Sequence, residues 1–187
     1  MKTKLAFVFV LILCFSTLAF GENWTIELRP AMNMPTGDFN DAELESGIGV
    51  DARIAYRVMP HLDVFTGWSW TNFAGENDLD FEETGYDLGV RFIHPFASYS
   101  FHYLLEGAAT YKHVELEDGD DIIGDSDHAL GFQLGAGIVY KISPKISLQP
   151  TVRYNTLTSE VEFDDLDITS EGDLNYISLG LGIAWNF

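Results

Sequence analysis

The sequence predicts an all-β protein: an eight-stranded antiparallel up-and-down barrel that crosses a membrane with its strands. Three observations predict it. From residue 23 onward apolar and polar side chains alternate with a period of two, the strand period. Most of the alternating segments run to about ten residues, beyond the 5–6 usual in soluble sheets and close to the 9–11 that a tilted membrane-crossing strand needs. The connections between segments alternate between short and long, as they do in outer-membrane barrels.

Taken in order, the first segment sets Trp24, Ile26 and Leu28 against Thr25, Glu27 and Arg29. The second sets Ile48, Val50, Ala52, Ile54 and Tyr56 against Gly49, Asp51, Arg53 and Arg57. Leu62, Val64, Trp68 and Trp70 oppose Asp63, Gly67, Ser69 and Thr71 in the third. In the fourth, Tyr86, Leu88, Val90 and Phe92 oppose Gly85, Asp87, Gly89 and Arg91. The fifth sets Phe101, Tyr103, Leu105, Ala109 and Tyr111 against Ser100, His102, Glu106, Thr110 and Lys112. The sixth places Leu130 through Tyr140 opposite Gly131, Gln133, Gly135, Gly137 and Lys141. The seventh sets Ile146, Leu148, Val152 and Tyr154 against Ser147, Gln149, Thr151, Arg153 and Asn155. The eighth runs Ile177, Leu179, Leu181, Ile183, Trp185, Phe187 against Ser178, Gly180, Gly182, Ala184 and Asn186. Short turns are expected around Met59-Pro60-His61, Pro95-Phe96-Ala97 and Ser143-Pro144, and long loops over residues 34–46, 74–84, 115–127 and 158–173.

Alternation alone fits a soluble barrel with an apolar lumen as well as a membrane barrel with an apolar wall. The glycines decide between them. Gly49, Gly67, Gly85, Gly89, Gly131, Gly135, Gly137, Gly180 and Gly182 all have polar-face parity. Small residues suit the crowded interior of an eight-stranded barrel and serve no purpose on a water-washed exterior. The apolar face is dense in Trp, Tyr and Phe, as interfacial girdles require.

Residues 1–21 form a separate expectation. Lys2 and Lys4 precede eleven apolar residues, Leu5–Phe15, and Ala19-Phe20-Gly21 offers a small-residue cut. This is the layout of a removable signal peptide, leaving residues 22–187 as the barrel domain. The apolar run is too short for a membrane helix. The single Cys, Cys14, lies in this leader, so residues 22–187 hold no disulfide, thiol nucleophile or Cys metal site. The chain carries 29 Asp and Glu against 10 Lys and Arg, an excess that excludes nucleic acid as a partner. A hydrophobic fraction of 47% excludes a disordered tail.

The segment Glu27-Leu28-Arg29-Pro30 through Pro35-Thr36-Gly37-Asp38-Phe39, and the run Leu174-Asn175-Tyr176-Ile177-Ser178-Leu179-Gly180-Leu181-Gly182-Ile183, resemble the small outer-membrane β-barrel family of Bacteroidota type. That family is similar to the OmpA and OmpX transmembrane barrels. The resemblance implies an integral protein of the cell outer membrane, surrounded by lipid and lipopolysaccharide. The apolar alternation ending in Phe187 resembles the C-terminal signature by which such barrels reach the barrel-assembly machinery. No counterpart of the OmpA peptidoglycan-binding domain is expected after the last strand, so the resemblance does not imply cell-wall tethering.

Charge is distributed in two populations. Seven basic residues have polar-face parity, and with the acids of that face they are expected to pair inside the lumen, because an unpaired buried charge costs several kcal/mol. The expected network comprises Glu27, Arg29, Asp51, Arg53, Asp87, Arg91, Glu106, Lys112 and Arg153. It reads either as a structural plug or as a narrow, porin-like ion or small-solute path. The remaining acids crowd the four long loops, which hold 23 of the 29 acids and no Lys or Arg. Such a rim repels like-charged neighbours, and it also offers oxygens to divalent cations or an extracellular ligand. Asp118, Asp120, Asp121, Asp125 and Asp127 are the candidate Ca²⁺ ligands, although their spacing is not that of an EF-hand. No other cofactor is expected.

Signals for catalysis are poor. Ser100, His102 and Glu106 share one strand face, but each step of two residues spans about 6.6 Å, too far for a direct relay. No phosphate loop, HExxH or GxSxG motif occurs. The expectation is a non-enzymatic protein with a structural or surface-interaction role; a lipid-modifying outer-membrane enzyme is the remaining alternative.

Overall fold

Period-two alternation folds into nine antiparallel strands, eight of which close a barrel. In a computed structural model, described for residues 23–37, 45–75, 79–98, 100–118, 121–163 and 168–187, the strands are β1 (Trp24–Thr36), β2 (Gly47–Met59), β3 (Leu62–Ala74), β4 (Leu79–Ser98), β5 (Phe101–Asp118), β6 (Asp121–Ser126), β7 (Ala129–Lys141), β8 (Ile146–Phe163) and β9 (Ile168–Asn186). Each barrel strand pairs with its neighbours in sequence. β5 pairs with β7 from Phe101↔Tyr140 to Lys112↔Ala129, leaving β6 as a short accessory strand beyond them. β1 pairs with β9 from Thr25↔Asn186 to Thr36↔Asn175, which closes the cylinder. The leader lies outside the described residues.

The polar face points inward. Arg29 is 1% exposed and Arg153 2%, whereas Leu130 is 75% and Leu88 63% exposed. An apolar wall this continuous is stable only in lipid, where every backbone polar group must bond within the wall. Near the short turns the wall carries aromatic pairs, Trp24 with Tyr56 and Phe101 with Tyr140, each with ring centroids 4.9 Å apart. A second aromatic row, Trp68↔Tyr86↔Tyr111, crosses three strands further toward the long connections.

The structure revises the expected loops. Strands β4, β5, β8 and β9 continue through much of residues 74–84, 115–127 and 158–173, as hairpins longer than a membrane crossing requires. β6 adds to this extension by pairing with both β5 and β8. The acids of these segments alternate with Phe81, Val114, Leu116 and Leu174, so strand pairing persists where composition alone reads as loop. The turn expected at Pro95-Phe96-Ala97 also lies later, because β4 runs to Ser98. Residues 38–44 fall outside the description.

Glycine on the inner face lets the wall and its side chains approach closely. A Cβ at Gly135 would lie 2.9 Å from Glu106 Cγ and 3.0 Å from Arg153 Cγ, so two ionic side chains occupy the space a larger residue would need.

Candidate functional site: the barrel lumen

Along the barrel axis the lumen is built in layers. Nearest the short turns, the Asp63 carboxylate accepts from Arg57 Nε at 3.1 Å and lies 3.3 Å from Arg91 Nη2. Arg91 Nη1 donates to Glu27 Oε2 at 2.6 Å, and Glu27 also pairs with Arg29 on the same strand. At mid-height Glu106 collects three guanidinium groups from three other strands. Arg153 Nε lies 2.5 Å from Glu106 Oε1, Arg53 Nη1 3.2 Å and Arg29 Nη1 3.5 Å. Arg153 reaches Asp51 at 2.5 Å with its other arm, and Arg53 pairs with Asp87.

Above these ions runs a chain of hydrogen bonds that starts at Arg53 and continues through neutral side chains. Arg53 donates to Gln133 at 2.6 Å, Gln133 to Asn155 at 2.6 Å, Asn155 to Ser178 at 2.9 Å, Ser178 to Asn33 at 2.5 Å and Asn33 to Thr71 at 3.2 Å. Six strands are tied together in this way. Higher still, Lys112 Nζ lies 2.5 Å from Glu83 Oε1 and 2.8 Å from the Tyr176 hydroxyl, which donates to the same Glu83 oxygen at 2.5 Å.

The uppermost layer is apolar. Phe73, Phe81, Val114, Leu157, Leu174 and Tyr176 form a buried cluster, with Leu116 and Ala129 packed against it. The Phe73 ring lies 6.3 Å from Phe81 and 5.3 Å from Tyr176, both edge-on. Inward positions therefore change from ionic to apolar where the strands pass toward the long connections.

All nine expected residues line the lumen, with Asp51 at 14% side-chain exposure the least buried of them; eight pair with one another, while Lys112 stands apart with Glu83 and Tyr176. Sequence reasoning placed Glu83 on the rim, and the structure makes it the buried partner of Lys112. It also left Phe65 unassigned. This ring lies inside, 4.6 Å beneath the Arg53 guanidinium, a favourable cation–π arrangement. The apolar cluster was missed altogether; its signal was the continued inward parity of Phe73, Phe81, Val114 and Leu157.

Neither a triad nor a metal centre assembles among the described residues. The Glu106 carboxylate is held by arginines, and His102 Nδ1 has no hydrogen-bond partner. Of the candidate Ca²⁺ ligands, Asp120 lies outside the described residues, as do the side chains of Asp118 and Asp121, while Asp125 and Asp127 are exposed. Among the described residues no group of three or more His, Cys, Asp or Glu side chains is arranged to hold a metal ion. Asp125 instead approaches His113 Nε2 at 3.3 Å, beside Glu115 at 2.8 Å. This cluster lies on the hairpin extension, beyond the membrane-spanning segment. Partial burial pushes the His113 pKa down, but bonds to Glu115 and the Ser126 carbonyl, with Asp125 nearby, outweigh that and hold it above the ordinary value.

The sequence matches the outer membrane protein beta-barrel domain over residues 5–187. No curated protein matches it. Among solved structures it is similar to Neisserial surface protein A, at 15% identity over 88% of this chain and 97% of that one, with a TM-score of 0.67. OprG from Pseudomonas aeruginosa is 12% identical over 90% of this chain and 97% of its own, with a TM-score of 0.58. Ail, the attachment invasion locus protein of Yersinia pestis, is 15% identical over 89% of this chain and 100% of its own, at 0.56; it has also been solved in complex with the heparin analogue sucrose octasulfate. At these identities the likeness is one of fold.

Proposed function

The chain belongs to the outer membrane protein beta-barrel domain family and is an integral outer-membrane barrel, and from that premise we propose that it is a plugged, non-catalytic barrel with a structural and surface-interaction role. One observation carries this reading: ionic, hydrogen-bonded and apolar layers succeed one another across the lumen, and the apolar layer at the top is buried. An ion crossing it would have to shed its water among the apolar side chains of Phe73, Phe81, Val114 and Leu157, which do not repay the loss. Five buried carboxylates, Glu27, Asp63, Glu83, Asp87 and Glu106, are matched by five buried cations, Arg29, Arg53, Arg91, Lys112 and Arg153. This balance supports a static plug.

The outer end is the part offered to partners. Its acids favour divalent cations, cationic segments of other molecules, or cation bridges to lipopolysaccharide phosphates. A polyanion such as the heparin analogue seen with Ail would meet like charge here. Planar-bilayer recording tests the plug. The expected trace shows no steady open level, and a large, steady conductance would overturn the proposal.

A second reading, a narrow ion path through pairs that exchange partners, is favoured by one feature. Arg29 Nε, Arg53 Nε, Arg153 Nη2, Asp87 Oδ1 and Glu106 Oε2 are buried without a hydrogen-bond partner, so alternative pairings have free donors and acceptors. Small flickering currents that change with charge reversal at Arg91 would mark this path.

A further inference from the structure

The short-turn end of the lumen opens into a vestibule of about 240 Å³ that differs in charge from everything above it. Arg57, Arg91 and Lys141 line it, with His61 and His102, and Asp63 is the acid among its lining residues. That carboxylate is already engaged by Arg57 and Arg91. Among the described residues Lys141 makes no ion pair. Two further polar atoms point to an unfilled need: Arg91 Nε, a donor, and His102 Nδ1, a donor in the tautomer that protonates it, are both buried with no hydrogen-bond partner, and Arg91 is 2% exposed. Lone buried polar atoms of this kind are costly unless something meets them. Thr25, Ser147, Gln149 and Asn186 add neutral polar groups to the same wall.

We propose that this vestibule is a binding site for a single phosphate-type oxyanion, with Lys141 and Arg57 at its mouth and Arg91 and His102 at its base. Arginine and lysine together are the donor set that phosphate oxygens favour. The volume lies below the ~300–1,000 Å³ of sites for drug-sized ligands, so it suits one anionic group. In outer-membrane barrels the short turns face the periplasm, and two sources share the chemistry there: free phosphate and the headgroup phosphate of an inner-leaflet lipid. The barrel would then hold anions at one end while the acids of the other end repel them.

The five imidazoles supply the test, because His102 and His61 line the vestibule while His113 and His128 stack together on the hairpin extension, with ring centroids 5.2 Å apart. The folded protein, with ¹⁵N-labelled histidine, is titrated with inorganic phosphate in phosphate-free maltoside micelles. Saturable shifts at His102, with His113 and His128 unmoved, are expected. Lys141→Gln, a change at an exposed position, is expected to weaken the binding at least about tenfold. In phosphatidylglycerol nanodiscs, free phosphate moving His102 as in micelles identifies the soluble anion. A His102 signal already shifted there, silent to added phosphate and close to a lipid ³¹P nucleus, identifies the headgroup. Equal, non-saturating drift of all five rings, or a Lys141→Gln response identical to wild type, would overturn the proposal.

Discussion

Inside the wall, five buried carboxylates meet five buried cations; at the far end, residues 115–127 hold seven acids and no Lys or Arg. The two regions share strands, since β5 runs from the lumen into the extension. Their surroundings separate them. A buried charge in the lumen is costly unless it is paired, and these are paired within the protein. A charge on the exposed rim is solvated, so nothing demands that its sign be balanced. The molecule therefore buries five of the eight Lys and Arg of residues 22–187 beside carboxylates, where desolvation is severe, and leaves its acid excess where it costs little.

Substitutions can break this contrast. Glu106→Gln should cost most, about 3–5 kcal/mol, because Arg29, Arg53 and Arg153 lose their shared carboxylate at once. Urea unfolding of the micelle-bound barrel measures it, and a loss below about 1 kcal/mol would mean that the lumen is wet enough to solvate three guanidinium groups. Phe73→Ala should cost about 3 kcal/mol by opening a cavity in the apolar layer. It should also bring intermittent currents in a planar bilayer if that layer seals the top. Gly85→Ala should cost about 1–3 kcal/mol, since its Cβ would meet the Tyr111 carbonyl oxygen and lie 2.6 Å from Lys112 Cα, and backbone cannot step aside. Gly172→Ala on the extension meets nothing within 4 Å and should leave unfolding unchanged. Asp173→Asn, at an exposed carboxylate that accepts from Thr158 at 2.7 Å, should shift stability by no more than about 0.5 kcal/mol.

The smallest effect concerns pH. Because the folded His113 pKa is raised above its ordinary 6.5, its contribution is fully present below that value and is lost as pH rises through the folded pKa. Wild type should lose a small increment of extension stability across that window, read by amide exchange in β6. His113→Asn should lose none.

How much of this was legible follows from which contacts are local. Period two and the glycine parity belong to each strand alone, so eight barrel strands and their inward faces could be read from the residues in order, and with them which charges share the inner face. Pairings could not. Arg153 meets Asp51 across 102 positions of sequence, and Arg53 meets Glu106 across 53; the barrel's stagger, which no single strand encodes, sets both. Glu83 was misplaced because it stands in an acid-rich stretch, and composition there outweighed a parity shared with Phe81 and Gly85. Phe65 resisted assignment because an aromatic ring on a polar face makes sense only once Arg53 is seen above it.

The claim beneath these comparisons is that the lumen is sealed, and thiol accessibility tests it most directly. Thr110→Cys places one thiol inside, at a position 3% exposed, in a barrel domain with no other cysteine; Asp125→Cys places one on the exposed rim. With a small, charged, membrane-impermeant reagent applied from both sides of a proteoliposome, the rim thiol should react promptly and the lumen thiol should stay unmodified until the barrel is unfolded. Labelling of Thr110→Cys at a rate matching the rim would contradict the account, for it would mean that water and ions already pass where the layers are said to close.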